Sequence, residues 1–163
     1  IFDEYIHEPK HNIIFEEHAL YSDFSVHKNF MNSKCNGDWI VNIDADEMPS
    51  EFLIKNIKAL IQANPEIELY WVPRINTVKG LTNDHIQKWG WRVDEKNRIN
   101  WPDPQQRIYK NAEHINWTKP VHERLVGATK DAFLPFEEQW ALSHPKSIRK
   151  QEEQNKHYER IMR

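Results

Sequence analysis

A single cysteine, Cys35, occurs in the 163 residues. No intrachain disulfide framework can form, and this usage fits a reducing compartment. Neither sign of charge dominates: 22 Lys and Arg stand against 25 Asp and Glu, a net charge of -3 with His neutral. No strong field therefore selects nucleic acid or a membrane surface. No apolar run is long enough to span a bilayer, and no signal-peptide pattern is present. Internal repeats and low-complexity tracts are absent as well. The chain starts at Ile1-Phe2-Asp3, without a Met, inside sequence that reads as folded, and is expected to be a fragment or to lack its start. Its length suits one domain with a sizeable core.

The organising stretch runs from Gly37 to Pro49. Trp39 to Ile43 is a short apolar run that reads as a buried strand. It ends in three carboxylates, Asp44, Asp46 and Glu47. Residues i and i+2 of an extended segment share a side, so Asp44 and Asp46 are expected to aim at one point past the strand's end. In open α/β sheets that edge is where ligands bind. Two converging carboxylates repel unless a positive group lies between them, and a hard divalent cation, Mg²⁺ or Mn²⁺, answers that need. An acidic turn opening a helix is the plain alternative.

Asp23-Phe24-Ser25-Val26-His27-Lys28-Asn29-Phe30, followed by Gly37 to Glu47, resembles the middle of a family 2 glycosyltransferase of the GT-A fold. The likeness extends through Trp101 to Tyr109, Val121 to Leu125 and His144, and is nearest to the lipopolysaccharide-core glucosyltransferase type. The resemblance implies a nucleotide-sugar donor, a metal held by the Asp-x-Asp, a glycan or lipid-linked acceptor, and hexosyl transfer. It also implies a cytoplasmic location, free or peripheral at a membrane. The part of that fold that precedes Asp23 has no visible counterpart, apart from Ile1 to Ile6 as a worn remnant, so the GT-A domain is expected to be N-terminally incomplete.

Elsewhere, Ile13-Ile14-Phe15 reads as a strand and Ser22 to Lys34 as a helix capped by Ser22 or Asp23. Leu53, Ile54, Ile57, Leu60 and Ile61 stripe a helix from Ser50 to Ala63. Glu68 to Val78 reads as one strand, and Lys79 to Pro102 as a long polar, mobile loop. A strand at Gln105 to Tyr109 is expected to turn at Asn111-Ala112 into His114 to Trp117. Val121 to Leu125 leads towards Gly127, a last strand within Phe133 to Leu142 ends at Ser143-His144-Pro145, and Ser147 to Met162 is a charged helix. The order argues one α/β domain with a mixed sheet, an antiparallel C-terminal part and a C-terminal helix.

Glycosyl transfer builds negative charge on the departing diphosphate and needs a base for the attacking hydroxyl. Asp44 and Asp46 suit the first need, with Asp46 the preferred direct ligand and Glu47 behind it. His144, before Pro145, is the candidate third metal ligand, as a neutral imidazole. For the base, Glu123 ranks first, since Val121-His122-Glu123-Arg124 sets a carboxylate between a His and an Arg. Asp103, between two prolines, ranks second. Each is also readable as a surface ion pair or a turn residue. Arg107 is a candidate diphosphate contact or the partner of an acid. Lys28 and Asn29 fall where the resembled family approaches its nucleotide-sugar, or on an exposed helix face. Trp89, Trp91 and Trp101 are candidates for stacking on a sugar, or core, and His122 joins Trp89 and Trp91 on the acceptor side. The rival readings are a non-catalytic remnant that binds a partner or glycan, and a metal-dependent phosphoesterase, which would want more metal ligands near Asp44.

Overall fold

The computed structural model describes residues 14–161. The expectations for Ile1 to Ile6, Ile13 and Met162 lie outside the described residues. The chain forms a mixed α/β structure with mixed sheets and a C-terminal helix. Ile14 and Phe15 are exposed and irregular rather than a strand.

Helix α1 (Phe24–Ser33) starts where Asp23 accepts from the backbone N–H groups of Ser25 and Val26. Strand β1 (Trp39–Val41) follows, then β2 (Met48–Pro49) and α2 (Glu51–Ala63). Ser50 caps α2 by accepting from Leu53 N at 3.0 Å, so the apolar stripe begins in register. Leu53 is buried, and Ile57, Leu60 and Ile61 pack around it.

The stretch expected as one strand is two, β3 (Leu69–Val72) and β4 (Arg74–Lys79). Pro73 divides them because it has no N–H to donate, while its carbonyl accepts from Leu142 N at 2.9 Å. The chain thereby passes from one sheet to another. The first sheet has the order β1-β5-β3-β8, with β5 (Gln105–Lys110) antiparallel to both neighbours and β8 (Asp131–Phe133) parallel to β3. The outer edge of β1 is unpaired among the described residues. The second sheet has the order β2-β9-β4, where β9 (Leu142–Ser147) lies parallel to β4 and pairs Asn76 with His144.

Alternation along the strands divides the core of the first sheet. Tyr70, Val72 and Ile108 meet α2, Leu134 and Leu142 on one face. Ile40, Leu69 and Tyr109 meet Ile115, Trp117 and Leu125 on the other. Trp117 and Leu125 belong to the hairpin of β6 (Asn116–Thr118) and β7 (Arg124–Val126). The expected pairing of this region with β5 does not form; β6 pairs with β7 instead.

Two further expectations are corrected. The polar stretch from Lys79 to Pro102 holds helix α3 (Asn83–Trp89), with Thr82 and His85 in a reciprocal cap and Gly90 closing it at φ 64. None of its residues is buried, so it carries no apolar stripe to read. The expected strand within Phe133 to Leu142 is a 3-10 turn (Glu138–Trp140) between β8 and β9, and His144 lies inside β9 rather than at a strand's end. Helix α4 (Ile148–Ile161) continues directly from β9.

Gly127 closes the β6–β7 unit. Its φ is 98, and a Cβ there would stand 1.8 Å from the His114 carbonyl oxygen. Gly127→Ala is therefore expected to lose about 2–4 kcal/mol from the combined backbone strain and forced displacement. Urea unfolding of the two proteins measures it; equal midpoints would show that the turn yields freely.

Candidate functional site

A cleft of 610 Å³ opens beside the carboxyl end of β1. Of the residues singled out in the sequence, it is lined by Lys28, Asp44, Asp46, Trp91, Asp103, Arg107, His122, Glu123 and His144. Asn29 and Trp89 do not line it. Asn29 holds α1 to β6, its amide exchanging two 2.9 Å hydrogen bonds with the Trp117 backbone. Trp89 stacks on His85 and leans on Trp91. Trp101 carries the Arg98 guanidinium on its face, 4.5 Å from the ring centre.

The loop after β1 turns through a 2.9 Å bond from Glu47 N to Asp44 O. The Glu47 side chain is 0% exposed, and Oε1 accepts from Arg74 at 2.9 Å and Arg107 at 2.6 Å. Two cations meet a charge that would otherwise cost several kcal/mol to bury. Arg107 extends the same Nη2 to Asp44 Oδ2 at 2.5 Å. Burial pulls the Arg107 guanidinium down, but Asp44 and Glu47 outweigh it and hold it above its ordinary value. The donor of Arg107 that the structure defines is thus turned onto acids.

Arg74 was not singled out in the sequence, yet it joins both sides of the site. Its Nε and Nη2 reach Asp103 Oδ2 at 3.0 and 2.8 Å. Asn76 Nδ2 adds a third bond to that oxygen at 2.6 Å, and Gln105 meets Oδ1 at 3.1 Å. Asp103 thus holds three donors on Oδ2 and one on Oδ1. Glu123, in the loop between β6 and β7, meets Lys28 through Oε1 at 2.6 Å, and its Oε2 has no partner among the described residues. Lys28 also lies 3.6 Å from Asp44 and 4.4 Å from the Trp117 ring centre.

The two aspartates do not share one partner. Asp44 faces Arg107 and Lys28, whereas Asp46 Oδ2 faces His144 Nε2 at 3.3 Å and Lys146 Nζ at 3.5 Å. The state of His144 follows from its neighbours. Asn76 donates Nδ2 to Asp103, so its Oδ1 must accept, and His144 Nδ1 donates to it at 2.6 Å. Burial holds the imidazole below its ordinary value, with Arg74 and Lys146 adding to the effect. A neutral ring with its proton on Nδ1 presents a lone pair from Nε2. That lone pair and the Asp46 carboxylate are two acceptors face to face. Burial works against the Asp46 carboxylate, and Lys146 favours its charged form; the charge and hydrogen bond by which His144 would also lower it belong to a protonated ring, not to the neutral one.

This donor set fits a hard cation. Adjacent ligands of an octahedral ion with bonds of about 2.1 Å stand roughly 3 Å apart, close to the observed 3.3 Å. Among the described residues, no three His, Cys, Asp or Glu side chains form a ready-made metal group. A cation here would complete its shell from water or from ligand oxygens.

Besides Arg74, the sequence reading missed Asn76, Lys146, Trp71, Trp117 and the α4 residues Gln151, Gln154 and Tyr158, all on the cleft wall. A signal existed for some. Arg74-x-Asn76 and His144-x-Lys146 are polar i, i+2 pairs, the spacing of one strand face. No protein-family model matches this chain, and no curated protein matches it.

The histidine geometry has a measurable consequence. His144 is expected to titrate below 6.5, with its proton on Nδ1 at pH 7, as read by nitrogen-15 NMR. Its folded pKa lies below the unfolded one, so on acidification the unfolded chain takes the proton first. Stability is then lost as pH falls from about 6.5 through the folded midpoint. His144→Gln should flatten that part of the pH–stability curve. A midpoint above 6.5 would mean that Asp46 holds an imidazolium instead.

Proposed function

We propose that this chain is the catalytic part of a metal-dependent, inverting glycosyltransferase of GT-A type. It moves a hexose from a nucleoside-diphosphate donor to a hydroxyl of a glycan or lipid-linked acceptor. The observation that carries the reading is the Asp46–His144 pair, a carboxylate oxygen and an imidazole nitrogen 3.3 Å apart at the sheet edge where an Asp-x-Asp stands. Mn²⁺ or Mg²⁺ held by Asp46 and His144 would supply positive charge to a departing diphosphate. Asp44 stays beside Arg107 and Lys28, which makes it an orienting group for the donor rather than an equal ligand.

Glu123 is the base in this reading. Oε1 is anchored by Lys28, and the carboxylate lines the cleft with Oε2 unpaired among the described residues, so it can accept the proton of an acceptor hydroxyl. Asp103 has four protein donors on its two oxygens and little capacity left. Its role is to hold Arg74 and Asn76, and through Asn76 the tautomer of His144. Trp91 and His122 stand on the wall where an acceptor would enter.

A second reading is a glycan-binding relative without catalysis. The internal pairing of the site favours it: Glu123 with Lys28, and Asp44 with Arg107, neutralise one another without a ligand.

Calorimetry with Mn²⁺ and a nucleoside diphosphate separates these readings. The wild-type protein is expected to bind the pair, and Asp46→Ala and His144→Ala to lose most of the heat. Identical heats in all three proteins would remove the metal site. In a form that transfers sugar, Glu123→Gln should lower turnover by about 10²–10⁴-fold with donor binding kept. If Glu123→Gln stays active while Asp103→Asn is dead, the base is Asp103.

A further inference from the structure

Helix α4 closes one side of the cleft, and its chemistry differs from that of the other walls. Gln151, Gln154 and Tyr158 line the space at positions i, i+3 and i+7, one helix face. None of the three carries a charge. The opposite walls present Lys28, Asp44, Asp46, Arg107 and Glu123.

The hydrogen bonds on this face run in one direction. Lys146 Nζ has only protons to give, so the Gln154 oxygen it meets at 2.7 Å must accept. The Gln154 amide nitrogen therefore points the other way and donates to the Tyr158 hydroxyl oxygen at 2.7 Å. The hydroxyl accepts, and its own proton is left without a protein acceptor among the described residues. Burial raises the phenol above its ordinary value; Gln154 opposes this and the Glu123 carboxylate adds to it, so the group keeps its proton. The ring is held edge-on to Phe24, with centres 6.1 Å apart, and to His122, at 5.7 Å. A donor held by its ring contacts thus faces the cleft beside His122 and across from Glu123.

We propose that α4 is a recognition wall for the neutral hydroxyls of a sugar, and that Tyr158 is a specificity-determining residue which donates its O–H to a glycan oxygen. An amide and a phenol match hydroxyl groups, which both give and accept. A diphosphate would be drawn to the cationic wall instead. The bound sugar lies between α4 and Glu123, the side from which an attacking hydroxyl reaches the base. That the bound sugar is the acceptor rests on the transferase reading; the glycan binding itself does not.

The test uses the whole chain without nucleotide or metal, on a printed array of oligosaccharides of defined structure, followed by calorimetry with the best-retained glycan. Wild type is expected to retain a subset of glycans. Tyr158→Phe keeps the ring contacts with Phe24 and His122 and should bind that glycan about three- to tenfold more weakly, as for one lost uncharged hydrogen bond, with an unchanged melting temperature. Gln151→Leu, which alters the same face one turn from the β9 junction, should weaken the same glycan and serves if Tyr158→Phe proves unstable. Retention of no glycan by wild type, or equal binding by both variants, overturns the proposal. Weakened glycan binding by Tyr158→Phe and Gln151→Leu upholds the proposal, while loss of the Mn²⁺ and diphosphate heats in the calorimetry above bears on the catalytic reading alone.

Discussion

A buried carboxylate needs positive partners, and Glu47 has two, Arg74 and Arg107. The rest of the site follows from that demand. Arg107 passes the constraint to Asp44. Arg74 passes it to Asp103, Asp103 fixes the amide of Asn76, and Asn76 fixes the ring of His144. His144 then faces Asp46, only one residue from Glu47 in the chain. The network leaves the acidic loop and returns to it through β4 and β9, so the placing of both Asp46 and His144 depends on one buried charge. Removing a single partner from such a network typically costs about 3–5 kcal/mol, and here it would also release His144 from its place beside Asp46.

The fold serves this arrangement by passing one chain through two sheets. Pro73 ends β3 and begins β4, which moves Arg74 and Asn76 out of the first sheet and beside His144. The β6–β7 hairpin performs a comparable task for Glu123. Lys119 and His122 take positive φ values of 75 and 53 in its loop, which swings the carboxylate back over Lys28.

The sequence disclosed the parts with a period or a local cap. The α2 stripe, Asp23 and Ser50 as caps, and β1 with its acidic end were legible because the signal lay within a few residues. Asp46, His144 and Glu123 were legible as candidates, and the structure gathers them on one cleft. What could not be read was long-range. The β6–β7 pairing, rather than a β5–β6 hairpin, is decided by Trp117 and Leu125 covering Tyr109. Arg74 looked like an ordinary strand residue until Glu47 and Asp103 met it from 27 and 29 positions away. Asn29 read as a site residue because the resembled family approaches its nucleotide-sugar at that position, but its amide faces the Trp117 backbone. Helix α3 escaped because no apolar face announces it.

Strand β1 carries the acidic loop, and its outer side has free backbone donors and acceptors among the described residues. An edge strand of this kind is a template for another strand. Any segment that pairs there lengthens the sheet under the loop and restricts its motion. Ligand and added strand would then each bind better in the presence of the other, with equal coupling in both directions. Under that coupling, whatever lies alongside β1 would set the hold of the acidic loop on a ligand, as well as the residues within the loop.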